Sequence, residues 1–166
     1  LYIEASDFAE VPPAKFFRLK PGGEVRLMGA YLVRCGEVEK NPDGSVCAVH
    51  VTADLETGCG NPADGRKVKG TIHWLSAPHA VDAGAVLYDR LFTVPNPNDL
   101  PEGKTYDDFI NPDSCRELSG AKFEPSLADA KPGEHFQFVR TGYFVKDTRR
   151  ENTFLRTVSL KDSYSK

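Results

Sequence analysis

Apolar and β-favouring residues alternate with polar ones in short runs, and no stretch sustains the spacing of an amphipathic helix. In residues 24–35, Val25, Leu27, Tyr31 and Val33 fall at odd positions, which predicts one strand with Arg26, Met28 and Arg34 on its other face. Asn41-Pro42-Asp43-Gly44 separates two β-favouring runs and predicts a hairpin, because proline presets its turn dihedral and glycine accepts positive φ. Further strands are expected over 69–75, with Ile72 and Trp74 inward, and over 85–94, 136–140, 143–145 and 154–160. One helical turn is expected at 125–130. Pro95, Pro97 and the acidic stretch to Pro112 read as a long connection between two lobes, since proline cannot donate to a ladder. The pattern is all-β.

The length of 166 residues suits one ordinary domain or two small ones. An apolar share of 40% with 27% charged residues describes a folding chain, and 14 Gly with 12 Pro fit many turns. No apolar run approaches the roughly 18 residues of a membrane span, and residues 1–7 lack the basic and apolar parts of a secretion signal. A cytoplasmic chain is expected. A start at Leu1 inside a strand-like segment is what a piece of a longer protein would show. Cys35, Cys47, Cys59 and Cys115 form no CxxC pair, which favours reduced thiols. A zinc set can be drawn from Cys47, His50, Cys59 and His73, but it lacks close ligand pairs at both ends, so ordinary side chains are expected there.

A net charge of −3 argues against indiscriminate coating of nucleic acid. The charge is uneven, however. Residues 92–130 carry three Lys/Arg against eight Asp/Glu, and residues 131–166 carry eight against four, so the basic end can meet phosphates or simply face solvent. No GxGxxG, GxxxxGK[ST], GxSxG or HExxH occurs, and His79 near Ser76 and Asp82 reads as a loop. No catalytic, cofactor or metal residue is expected. What recurs instead is a cation or amide beside aromatics on predicted strands: Lys15-Phe16-Phe17-Arg18, Glu24-Val25-Arg26 and Phe136-Gln137-Phe138-Val139-Arg140. Single-stranded RNA is held by such groups, because unstacked bases lie on flat rings while amides and guanidiniums read their edges. Alternating aromatics are more often the mark of a β core, and an arginine two or three residues away more often faces solvent, so on composition alone RNA binding is the lesser reading.

Three longer segments sharpen the choice. They are Asn61-Pro62-Ala63-Asp64-Gly65-Arg66-Lys67-Val68-Lys69-Gly70-Thr71-Ile72-His73-Trp74, then Leu87-Tyr88-Asp89-Arg90-Leu91-Phe92 with Val94-Pro95-Asn96-Pro97, then Phe136-Gln137-Phe138-Val139-Arg140-Thr141-Gly142-Tyr143-Phe144. With Leu1-Tyr2-Ile3-Glu4 and Asp7-Phe8 at the start and Leu155-Arg156-Thr157-Val158-Ser159-Leu160-Lys161-Asp162 at the end, the chain resembles the C-terminal region of glutaminyl-tRNA synthetases throughout. The resemblance implies two antiparallel β-barrels: a proximal one from residues 1–11 and 93–166, lacking a first strand supplied upstream, and a distal one from residues 12–92. It also implies a non-catalytic part of a monomeric enzyme that ligates glutamine to its tRNA, with ATP and magnesium handled by a catalytic domain elsewhere. The partners implied are that domain and the glutamine tRNA, with no membrane.

In the resembling family the anticodon bases enter separate pockets. Gln137 and Arg140 match the positions that hold the central uracil, Arg18 with Lys15 matches the pocket of the third base, and Arg26 matches a basic position near the first. Met28 replaces a second basic residue of that strand, and Phe17 stands where a basic residue can occur. Gln137 and Arg140 are three apart and point to opposite faces of a regular strand, so a bulge or turn after Val139 is required to bring them together. Two alternatives stay open: an archaeal or eukaryotic-type glutamyl-tRNA synthetase, and an RNA- or protein-binding barrel with no synthetase parent.

Overall fold

The computed structural model of the chain describes residues 1–62 and 64–160; Lys161 and Asp162 of the last resembling segment lie outside them. The fold is all-β, and it divides into two compact units, Leu1–Pro78 and the chain from His79 onward.

The first unit holds β1 (Glu24–Leu27), β2 (Leu32–Lys40), β3 (Val46–Asp54) and β4 (Thr71–Ile72), in the sheet order β3-β2-β1-β4. Residues 24–35 are therefore a hairpin and not the single strand expected. The Leu27 N–H donates to the Tyr31 carbonyl at 3.0 Å and the Ala30 N–H to Leu27 at 2.9 Å, which closes the turn. The odd-position pattern survives this turn because Val25 lies directly opposite Val33, and opposed residues share a face. Val25, Leu27, Val33 and Cys35 join Leu19 and Ile72 in the core, whereas Tyr31, in the turn, is exposed. Burial pushes the Cys35 thiol up and keeps it protonated. The predicted hairpin at 41–44 is present, with the Asn41 N–H on the Ser45 carbonyl at 2.8 Å and Asp43 accepting from the Ser45 N–H at 2.8 Å. The strand expected over 69–75 shortens to β4. Ile72 is buried as predicted, and Trp74 packs at the core edge with its indole N–H donating to the Met28 carbonyl at 3.0 Å.

The second unit holds β5 (Val81–Tyr88), β6 (Cys115–Phe123), β7 (His135–Phe138), β8 (Gly142–Lys146) and β9 (Thr153–Ser159), in the order β6-β5-β9-β8-β7. Its core is aromatic. Phe123 stacks on Phe154 with centroids 4.9 Å apart and Phe138 on Phe144 at 4.4 Å. Lys146 is buried in this core with its ammonium 4.5 Å from the Phe154 centroid and 3.1 Å from Asn152 Oδ1, so the charge has both a ring face and an oxygen. The edge strand β6 has no counterpart among the predicted strands, since most of its residues are exposed and no alternation marks it. A short 3₁₀ turn at Pro125–Leu127 occupies the predicted helical position.

The unit boundary differs from the expected division into 12–92 and the remainder. Tyr2 bridges Leu75 and Phe8 bridges Leu19, which ties residues 1–11 to the first unit. β5, expected in the distal lobe, pairs with β6 and β9 of the second. The proline-rich stretch is a loop of that second unit, not a linker. It is pinned by the Thr93 N–H on the Phe109 carbonyl at 2.9 Å and the Asn111 N–H on Leu91 at 2.8 Å. Nor are the sheets wholly antiparallel: β1 with β4 and β5 with β9 run parallel, each joined by a long crossover as that geometry demands.

Candidate nucleic-acid interface

Gln137 and Arg140 belong to one hairpin of the second unit. On β7, Phe136 and Phe138 turn into the aromatic core, so the intervening Gln137 stands on the outer face and is exposed. Phe138 pairs with Gly142, and the Thr141 N–H donates to the Phe138 carbonyl at 2.9 Å; residues 139–141 form the turn between. Arg140 sits there with φ 68°, a left-handed conformation that non-glycine residues seldom adopt. The required turn after Val139 thus exists, and it lifts Arg140 out of strand alternation.

Gly142 makes this turn possible. Its φ is 151°, and a β-carbon added there would lie 2.7 Å from the Val158 carbonyl oxygen and 3.2 Å from Arg156 Cδ. Across the ladder, Gln137 lies opposite Tyr143, and Tyr143 opposite Val158, both exposed. The outer face therefore sets a phenol ring beside the amide. Tyr143 was not singled out from the sequence, because only the pairing register reveals its neighbour.

Lys15, Arg18 and Arg26 belong to the first unit. Arg18 donates to the Ser6 carbonyl at 3.0 Å and pairs with Asp7 Oδ1 at 3.0 Å; the Asp7 side chain is 3% exposed and that of Arg18 39%. One side of this guanidinium is thus already committed to the fold. Lys15, three residues earlier, is exposed and left-handed at φ 63°. Lys15, Arg140 and Asn152 are the three non-glycine residues of positive φ among those described, and strained backbone of this kind gathers at functional positions.

Arg26 turns to the loop after β3, where its Nη2 donates to the Gly60 carbonyl at 2.6 Å. Its Nη1 is buried with no hydrogen-bond partner among the described residues, an unmet donor of the kind that normally costs about 1–3 kcal/mol. That loop is anchored by Arg66, whose guanidinium bonds Glu24 at 3.0 Å, Asp64 at 2.6 Å and Asp54. The Thr57 hydroxyl and N–H, then Arg66, hold the Asp54 carboxyl down at about 2, and the same carboxylates push the Arg66 guanidinium up.

Arg18 lines an open cavity of about 440 Å³, on whose wall Gly70 abuts the chain at Phe17. A β-carbon on Gly70 would fall 2.1 Å from the Phe17 carbonyl oxygen, so no other residue permits this approach. Arg26 does not line the cavity. The drawn zinc set does not assemble: His50 pairs with Glu39, and among the described residues no three of His, Cys, Asp and Glu group to hold a metal. Among the described residues, no helix is long and apolar enough to cross a membrane.

Two families carrying the same description, tRNA synthetases class I (E and Q), anti-codon binding domain, match residues 1–54 and 71–147. The chain is 52% identical over 170 aligned residues to proteins named glutamine--tRNA ligase from Xanthomonas oryzae pv. oryzae (strain MAFF 311018) and Xanthomonas axonopodis pv. citri (strain 306). It is 49% identical to the protein of that name from Xylella fastidiosa (strain M12). All of this chain is covered in each case, and it spans 29% of the length of these curated relatives.

Proposed function

The chain belongs to the anticodon-binding region of the class I tRNA synthetases of the E and Q type, and on that premise we propose that it reads the anticodon of the glutamine tRNA for a glutamine-ligating enzyme. The observation that carries the reading is the hairpin of β7 and β8, which presents Gln137 and Arg140 outside the core, with Arg140 freed from the strand by its left-handed backbone. An amide and a guanidinium together match the two carbonyl oxygens of a uracil. Base-edge hydrogen bonds discriminate because a wrong base leaves a donor or acceptor without water, at roughly 1–3 kcal/mol per lost bond. Tyr143 beside Gln137 offers a ring on which an unstacked base rests.

The left-handed Lys15 and the Asp7-oriented Arg18 serve the third base in this reading, and Arg26, with its unmet Nη1, the first. The relatives' shared name favours the glutaminyl over the glutamyl branch. ATP and magnesium fall to the catalytic region, and this chain contributes recognition. Free cysteines at all four positions suit a cytoplasmic setting, and a single-chain state is part of the same reading.

The test uses the full-length enzyme and two tRNA transcripts, one with the natural central uracil and one with cytosine there. The unaltered enzyme should charge the first with kcat/KM higher by about 10- to 100-fold. Arg140→Ala and Gln137→Ala should shrink that ratio while leaving KM for glutamine in place. An undiminished ratio in both variants refutes the assignment.

A further inference from the structure

The cavity beside Arg18 has a charge pattern that base recognition alone does not need. Lys20, Arg34, Lys67 and Lys69 line it together with Arg18 and Phe17. The acidic residue on its wall is Glu24, whose carboxylate already accepts from Arg66 at 3.0 Å. Arg18 is engaged by Asp7, but none of the other four cations has a carboxylate partner among the described residues. Unpaired like charges converging on one concavity repel one another, so an anion that enters is favoured by all of them at once.

Phe17 narrows the identity of that anion. The residue is 53% exposed, which costs apolar hydration that a core position would avoid, and the Lys69 ammonium lies 5.3 Å from the ring centroid. An acidic peptide would answer the cations and leave the ring unused. A nucleotide has both a phosphate and a flat base, and the volume of about 440 Å³ lies within the roughly 300–1,000 Å³ of small-ligand sites.

We infer that this cavity is a clamp for one nucleotide of single-stranded RNA: Lys20, Arg34 and Lys67 hold its phosphate, and the base stacks on Phe17. The inference rests on the anticodon-binding reading and adds to it a phosphate-holding, sequence-tolerant contact in the cavity that Arg18 itself lines. Lys69, lying over one face of the ring, withdraws no stacking surface from the other. The stem of Lys20 is steadied against Gly23, where an added β-carbon would fall 2.8 Å from Lys20 Cγ.

The experiment measures tRNA binding by the full-length enzyme from about 50 to 200 mM salt. Phe17→Leu keeps an apolar side chain but loses the ring, and should weaken binding roughly 5- to 150-fold, with the salt slope unchanged. Phe17→Tyr should restore it. The double variant Arg34→Gln with Lys67→Gln should reduce the slope of log K against log salt by up to about 0.7, the worth of one phosphate contact on a single strand. Wild-type affinity for Phe17→Leu together with a wild-type slope for the double variant overturns the clamp. Anticodon reading fails separately: if the cavity variants behave as expected while Arg140→Ala keeps full discrimination for uracil, the clamp stands and the assignment of Gln137 and Arg140 falls.

Discussion

Arg18 is assigned a base-contacting role, yet its nearest partner is a carboxylate of its own fold, so replacing it should disturb two things at once. In Arg18→Ala the Asp7 carboxylate, 3% exposed, loses a cation at 3.0 Å, and the Ser6 carbonyl loses a donor at 3.0 Å. Removing one member of a fully buried pair costs roughly 3–5 kcal/mol, because the remaining charge is stranded. An exposed pair is worth about 0–1 kcal/mol. Here one end is buried and the other 39% exposed, which places the loss at about 2–3 kcal/mol, a large part of an ordinary domain's 5–15 kcal/mol. Asp7 also joins the chain to the strand-like segment at Leu19, whose N–H donates to the Asp7 carbonyl at 2.9 Å, so the damage should spread to the Phe8–Leu19 bridge. Urea unfolding of the unaltered protein, Arg18→Ala, Asp7→Asn and the double variant makes the cycle. The double variant should fall within about 1 kcal/mol of Asp7→Asn alone, since no buried charge is left stranded. An Arg18→Ala midpoint equal to that of the unaltered protein would refute the argument, and any loss of tRNA affinity could then be credited wholly to a base contact.

Two further outcomes are expected. Gly142→Ala should destabilise the protein by about 2 kcal/mol or more, because a β-carbon would meet the Val158 carbonyl at 2.7 Å and the φ of 151° suits glycine alone; thermal unfolding at an unchanged Tm would sink this. Asp54 is held at about 2 by Thr57 and Arg66, so its contribution is present above the ordinary carboxylate value near 4 and is lost as pH falls from there through about 2. In acid titrations followed by urea midpoint, Asp54→Asn should flatten that limb, and an identical acid profile for the variant would count against the anchoring of the loop by Arg66.

How far the sequence could be read follows from the range over which each feature is determined. Strand alternation is a local, two-residue property, so Val25, Leu27, Val33 and Ile72 were assignable to the core even where the strand bounds were wrong. Turn chemistry is local too, and it found the hairpin at 41–44. Sheet order is not local. That β5 pairs in parallel with β9, some seventy residues on, and that residues 1–11 return to Leu19 and Leu75, left no trace in any short window, which is why the division of the units at Pro78 was not legible in the sequence. The candidate site divides the same way. Gln137 and Arg140 stood out locally as an amide and a cation beside aromatics, but the base they would hold came only through resemblance; the left-handed turn that separates Arg140 from strand geometry is enforced by Gly142 against Val158, a contact sixteen residues apart. Arg18 was visible as a cation, but Asp7, which claims part of it, was not visible as its partner. The clearest case is the cavity. Lys20, Arg34 and Lys67 lie in three separate segments and each alone is an ordinary solvated charge. They converge because β1 pairs antiparallel with β2 and parallel with β4, and because Gly70 lets the chain pass against Phe17. A recognition surface built on such pairings is a property of the register, so a substitution that shifts β4 against β1 should impair RNA binding without touching a single cation.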